Sequence, residues 1–189
     1  MSRRARALLR GATADAARAL LGWRIERSYP DGTSASGRIV ETEAYPPGDP
    51  ASHAYRRRTA RNASMFMREG TAYIYLIYGV HWCLNVTTEP EMTAAAVLVR
   101  GLDGIEGAAG PARLCRALSL DGRLDGVDML DRASPLRLLP PARDPVEPIV
   151  VSTRIGITRA AELRLRFYLL GSPGVSRRDR PAEREIISR

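Results

Sequence analysis

The sequence predicts an α+β fold, a single domain built on a mainly antiparallel sheet of β-hairpins with a few helices. Three observations lead there. Segments of alternating apolar and polar residues come in pairs, joined by residues with tight-turn chemistry. Only two or three short stretches carry helix start and stop signals. No GxGxxG, Walker A or other βαβ fingerprint occurs, which argues against a parallel nucleotide-binding sheet. A length of 189 residues suits one domain with a sizeable core.

The opening MSRRARALLRGATADAARALLG has the arginine and alanine bias of a transit peptide. It reads better as a folded helix of about two turns, capped by Thr13 and ended by Gly22, and no secretion is expected. Trp23–Tyr29 and Ser36–Tyr45 alternate on either side of Pro30-Asp31-Gly32, a hairpin. Pro46-Pro47-Gly48 then breaks the strand. Asp49 followed by Pro50 reads as an N-cap and first-turn proline, opening a short helix over Ala51–Arg58 with His53 in its first turn. TARNASMFMREG is expected as a polar loop holding Phe66 and two exposed methionines, Met65 and Met67.

Thr71–Tyr78 and His81–Thr88 form a second hairpin, with Tyr78-Gly79-Val80 at its tip and Tyr73, Tyr75 and Ile77 on one face. Ala94–Val99 is a continuous apolar run, hence a buried strand that delivers Arg100 at its end. Gly110-Pro111 opens a helix to about Leu120, with Leu114, Cys115 and Leu118 as its inner stripe. Residues 121–148, rich in Pro, Asp and Gly, read as a long irregular connection. Pro148–Thr153 and Leu165–Leu170 return as strands, the second closed by a Gly171-Ser172-Pro173 turn. The charged tail, 176–189, is expected to fray.

Charge narrows the function classes. The chain carries 29 basic and 21 acidic side chains, a net of +8, and every basic one is arginine. A polyanion is the leading partner. Arginine grips phosphate through its forked donors but cannot serve as an amine nucleophile. No run of about 18 apolar residues is present, so no membrane span is expected and the location is read as cytoplasmic. The two cysteines, Cys83 and Cys115, lie in unrelated contexts without zinc-ligand spacing. No metal or cofactor is expected, and the compartment is a reducing one. His81 and Cys83, two apart on a strand, point the same way without touching, so a packed thiol is favoured over a nucleophile–base pair.

Against this basic background, RIVETEAYPPGDPASHAY (38–55) gathers acids and aromatics. On a strand Ile39, Glu41, Glu43 and Tyr45 share one face, while Arg38, Val40, Thr42 and Ala44 share the other. Carboxylates repel a polyanion, so they are either a solvated strand end or groups that activate water against a cationic transition state at a sugar carbon. The tyrosines also admit two readings. They pack, or Tyr78 enters a nucleic-acid groove while Tyr45, His53 and Tyr75 offer flat faces to a displaced base. The absence of lysine removes one branch. Strand-cutting glycosylases attack C1′ with an amine, so glycosylase chemistry here should use water and stop at an abasic site.

ARALLG, GRIVETEAY, the RNxxMFM segment at Arg61–Met67, GTAYIYLIYG, CLN, VLVR, GPARLC and RFYLLGSPGVS together resemble the monofunctional alkyladenine (3-methyladenine) DNA glycosylases across nearly the whole chain. The resemblance implies a fold of the formyltransferase C-terminal type and excision of damaged purines flipped from duplex DNA, with no cofactor and a monomer sufficient. It implies Glu43 as the general base, with Arg100 and the Ile155 carbonyl as the water's other holders. Tyr45, His53 and Tyr75 become the stacking walls, the His53 amide reading the base. Asn85 becomes a steric gate against guanine's amino group and Tyr78 the wedge. Arg61 and Met65 fall at DNA contacts, and His81 stands where an aromatic is common beside the wedge. Glu41 is left structural, paired with Arg38 or a neighbouring strand. The rival readings are a non-catalytic nucleic-acid module and a nucleosidase acting on free purine nucleosides.

Overall fold

The structure, a computed structural model, describes residues 2–188. Its eight strands are β1 (Arg24–Ser28), β2 (Ser34–Tyr45), β3 (Ala72–Ile77), β4 (His81–Thr87), β5 (Ala96–Asp103), β6 (Leu136–Leu139), β7 (Ile149–Ser152) and β8 (Arg166–Leu169). All pair antiparallel in one sheet of order β3-β4-β5-β2-β1-β6, with β8 also on β2 and β7 on β8. The α+β expectation holds. The twelve-residue β2 organises the sheet. Along one edge it pairs β5 from Arg38 to Tyr45; along the other it pairs β1 at 34–38 and then β8 at 41–43.

Helices α1 (Ser2–Leu9) and α2 (Thr13–Ala19) cover one face, burying Leu9, Ala16, Ala17 and Leu20 in the main core with Val40, Ala44 and Phe167. Thr13 is not the cap; Ala12 holds that position. The Thr13 hydroxyl instead donates to Glu89 Oε1 at 2.5 Å, a tertiary partner winning over the local one. Gly22 follows at φ +87, a conformation glycine takes without strain. α3 (Pro111–Ala117) buries Leu114 and Cys115 as its spacing predicts, with Leu118 buried just beyond.

Five further expectations need correction. Ala51–Arg58 is a series of turns, not a helix. Asn62 Nδ2 donates to the carbonyls of His53 (3.0 Å) and Arg57 (3.1 Å), taking acceptors a helix would use. The ordered turn lies later, a 3-10 helix at Ala60–Phe66 that buries Met65, so only Met67 of the two methionines is exposed. Residues 121–148 are not irregular throughout: they hold a 3-10 turn at Gly122–Leu124 and the strand β6, whose Leu136 and Leu138 enter the core beside β1. The tail does not fray but forms α4 (Arg180–Ile187), capped by Asp179 accepting from the Ala182 amide at 3.2 Å and burying Ala182 and Glu183. β5 also continues past Val99, so Arg100 lies within a strand, not at its end.

Candidate active site

The acids of β2 owe their placement to a local irregularity. The β2–β5 register slips by one between Ile39 and Glu41 and recovers between Glu41 and Thr42, leaving Val40 and Arg100 without direct cross-strand partners. Such bulges re-aim side chains. Ile39 and Val40 thus both enter the apolar core, which strict alternation forbids, whereas Glu41, Glu43 and Arg100 converge. Glu41 accepts from Arg100 Nε (3.1 Å), Arg166 Nε (2.7 Å), the Ser176 amide (2.6 Å) and the Ser176 hydroxyl (2.9 Å). It is paired to neighbouring strands and not to Arg38, which forks onto Glu147. The Ser176 segment comes this close because Gly101 meets Gly174 back to back; a Cβ on Gly101 would stand 2.1 Å from the Gly174 carbonyl oxygen.

Glu43 is fully buried. Its Oε1 accepts from the Ile155 amide at 2.7 Å and lies 3.3 Å from Arg100 Nη1, and its Oε2 accepts from the Tyr45 hydroxyl at 3.0 Å. Burial raises its pKa, and the opposing pull of Arg100, the Ile155 amide and Tyr45 does not cancel that rise. Each carboxylate oxygen has two acceptor positions. Oε1 accepts one hydrogen bond and faces the Arg100 guanidinium, while Oε2 accepts one and keeps a second position open.

Directly in front lies a cleft of about 580 Å³. Tyr45, His53, Tyr73 and Tyr75 provide flat walls, with Asn85, Arg100 and Ile155 at its depth and Tyr78 and His81 at its mouth. His53 stands edge-on to Tyr75, ring centroids 4.3 Å apart, and its Nδ1 is 3.0 Å from the Tyr73 hydroxyl. Burial, reinforced by Arg61, lowers the His53 pKa, so the ring is neutral at pH 7. Burial raises all three tyrosine pKa values, keeping the phenols protonated. Asn85, opposite Tyr73 in the β3–β4 register, is buried and donates to the Tyr73 carbonyl at 3.0 Å. Met65 lines the same cleft from within. Tyr78 sits at the β3–β4 tip with φ +53 and 84% exposure. Arg61 stands outside the lining, exposed, its Nη2 on the Leu76 carbonyl at 2.5 Å.

The fold therefore gathers Tyr45, His53, Tyr75, Asn85, Arg100, Ile155, Tyr78, His81 and Met65 around one cleft, with Glu43 just behind it and Arg61 beside it. Ile155 reaches Glu43 by its amide. Sequence reasoning missed Tyr73 as a wall and two buried arginines. Arg166 holds Glu41. Arg154 is paired with Asp49 and lies over the Tyr45 ring, 4.7 Å from its centroid. The one available signal was their setting in apolar strand-like runs, STRIGIT and LRLRFYLL. Among the described residues no three of His, Cys, Asp and Glu converge as metal ligands, and no helix is long and apolar enough to cross a membrane.

The family model described as methylpurine-DNA glycosylase (MPG) matches residues 7–173. A putative 3-methyladenine DNA glycosylase of Synechococcus elongatus is 51% identical over 183 residues, covering 94% of this chain and 93% of that protein. One from Methanoculleus marisnigri is 46% identical over 164 residues, 77% of this chain and 84% of that protein. The DNA-3-methyladenine glycosylase of Homo sapiens is 39% identical over 204 residues, 89% of this chain and 66% of that protein.

Proposed function

This chain belongs to the methylpurine-DNA glycosylase family, and we propose that it is a monofunctional DNA glycosylase removing alkylated or deaminated purines from duplex DNA in base excision repair. The observation that carries this reading is the buried, proton-avid Glu43 held by Tyr45, Ile155 and Arg100 immediately behind an aromatic cleft.

The surplus of arginine attracts the phosphate backbone, and that attraction weakens steeply with salt. Tyr78, projecting from the hairpin tip, fills the gap left when the lesion rotates out of the stack. Rotation costs a few kcal/mol, and least for poorly paired, damaged bases. The flipped purine enters between Tyr45, His53 and Tyr75. Asn85 at the floor stands against guanine's exocyclic amine and so disfavours undamaged guanine, whose glycosidic bond is not weakened by alkylation. Arg61 and His81 flank the entry, and Met65 acts from inside the cleft wall.

A water seated at the vacant acceptor position of Glu43 Oε2, steadied by Arg100 and the Ile155 carbonyl, attacks C1′. Its oxygen bonds to the sugar, its proton passes to Glu43, and the glycosidic electron pair leaves with the base. A raised pKa makes Glu43 a stronger base than a solvated carboxylate. Cationic lesions such as 3-methyladenine leave readily. With no lysine in the chain to form a Schiff base, the product is an intact strand with an abasic site.

The test uses duplexes each carrying one lesion: 3-methyladenine, 7-methylguanine, hypoxanthine or an etheno-adduct. Strand breaks that appear only after alkali are the expected result. Breaks without alkali would refute the water mechanism, and alkali-stable duplexes throughout would refute the activity.

A further inference from the structure

The buried Asp49–Arg154 pair does more than fill space. Arg154 Nη1 donates to Asp49 Oδ2 and, at 3.0 Å, to the Ala44 carbonyl; its Nη2 donates to Asp49 Oδ1 at 3.1 Å and reaches the Ala160 carbonyl at 3.4 Å. Asp49 Oδ1 also accepts from the Ala51 amide at 2.8 Å, fixing the turn that leads to His53. One guanidinium thus ties together the end of β2, the loop carrying His53 and the loop carrying Ile155. Its flat face covers the Tyr45 ring. The next residue, Ile155, supplies the amide that holds Glu43.

Arg154 keeps this position at a cost: among the described residues its buried Nε has no hydrogen-bond partner. An orphaned buried donor is unfavourable. A salt bridge needed only for stability would be replaced with little loss by apolar side chains of similar volume. What such a replacement loses here is the fixed geometry of both slot walls and of the Glu43 donor.

We infer that Arg154, held by Asp49, is a positioning residue for base excision, setting the Tyr45 ring from behind and the Glu43 carboxylate through the Ile155 amide. This rests on the glycosylase reading above. Arg154 does not line the cleft; it acts through its neighbours.

The test is the double variant Asp49→Asn/Arg154→Met, which removes both buried charges together and spares the fold an unpaired one. Single-turnover excision from a hypoxanthine duplex is measured against pH, with lesion-duplex Kd and thermal melting alongside. The expected result is a folded protein with Kd within about threefold of wild type and excision at pH 7 down at least about tenfold. The acid limb of the rate profile should move up by about one pH unit, because Glu43 loses a donor to its charged form. The other groups facing Glu43 are Glu41 and Tyr45 on β2, Arg100 on β5 and Cys83 on β4; all are unchanged, so the shift reports the Ile155 amide. Wild-type excision in the folded double variant, or a loss equal at every pH, overturns the inference. If the double variant does not fold, Arg154→Lys, which keeps the charge pair but loses the forked donors, decides by the same two readouts. An inactive wild type would instead sink the glycosylase reading, whereas an active wild type, a dead Glu43→Gln and a normal Arg154 variant would sink this inference alone.

Discussion

Glu43→Gln separates chemistry from stability, because the two should move in opposite directions. The amide keeps the shape of the carboxyl: its oxygen can still accept from the Ile155 amide and Arg100, and its NH2 can face the Tyr45 hydroxyl. It cannot take a proton from water. A positioned general base contributes about 10²–10⁴-fold, so the variant should lose about 3–5 kcal/mol of transition-state stabilisation at 1.36 kcal/mol per decade. Stability should rise. Burial holds the Glu43 pKa above the ordinary carboxylate value in the fold. Keeping it ionised therefore imposes a penalty that is absent below the unfolded-state pKa, grows as pH rises toward the folded value, and is complete above it. Glutamine never ionises, so at pH 7.5 the variant escapes that penalty and should melt higher, by roughly 2–4 °C per kcal/mol for a chain this size. The assays are single-turnover excision under excess enzyme, lesion-duplex binding and a thermal melt. Excision within tenfold of wild type would refute Glu43 as the base. A melting temperature below wild type would refute the conclusion that burial dominates its electrostatics.

Three further changes probe the surroundings. Tyr78→Ala should leave the melt within about 0.5 kcal/mol of wild type, since the ring is exposed at the tip, yet lower excision from duplex far more than from single strands; equal effects on both would remove the wedge role. Gly101→Ala drives a methyl to within 2.1 Å of the Gly174 carbonyl oxygen, backbone against backbone. A loss near the upper end of the 1–3 kcal/mol typical of overpacking, about 3 kcal/mol, is expected in denaturant titration; a neutral result would place β5 and the turn at Gly174 apart in solution. Glu41→Gln leaves Arg166 buried without a carboxylate and Arg100 with Glu43 alone. It should destabilise by about 3–5 kcal/mol, and denaturant titration that finds less than 1 kcal/mol would mean water reaches the network.

The hairpins were legible because two periodicities coincided there, alternation along β2, β3 and β4 and turn residues at Pro30-Asp31-Gly32 and Tyr78-Gly79-Val80. The same alternation put Glu41, Glu43 and Tyr45 on one face without coordinates. What stayed hidden depended on distance. β6 is hemmed in by Pro135 and Pro140, which mark loop, and is defined by its pairing with β1. Ala51–Arg58 carried a sound helix start but lost its carbonyls to Asn62, whose reach no local rule foresees. α4 carried a cap and proline signal at Asp179–Pro181, obscured by the charge around it. Arg154 and Arg166 drew no notice because their carboxylates, Asp49 and Glu41, lie 105 and 125 residues away. An arginine's burial is decided by its partner, and the partner is a property of the fold.

The pairing of acids on β2 follows from the same electrostatics. The proposed mechanism places Arg100 beside the reacting water, yet a buried guanidinium devoted to Glu43 would pull that carboxyl far down and leave a poor base. Glu41, two residues earlier on the same face, shares Arg100 through Nε and takes Arg166 as well, so the four groups carry two charges of each sign. Its own charge also pushes Glu43 upward. A basic protein thus keeps two carboxylates together for different ends: Glu41, accepting from four donors, anchors the cations, and Glu43, accepting from two, remains able to take a proton.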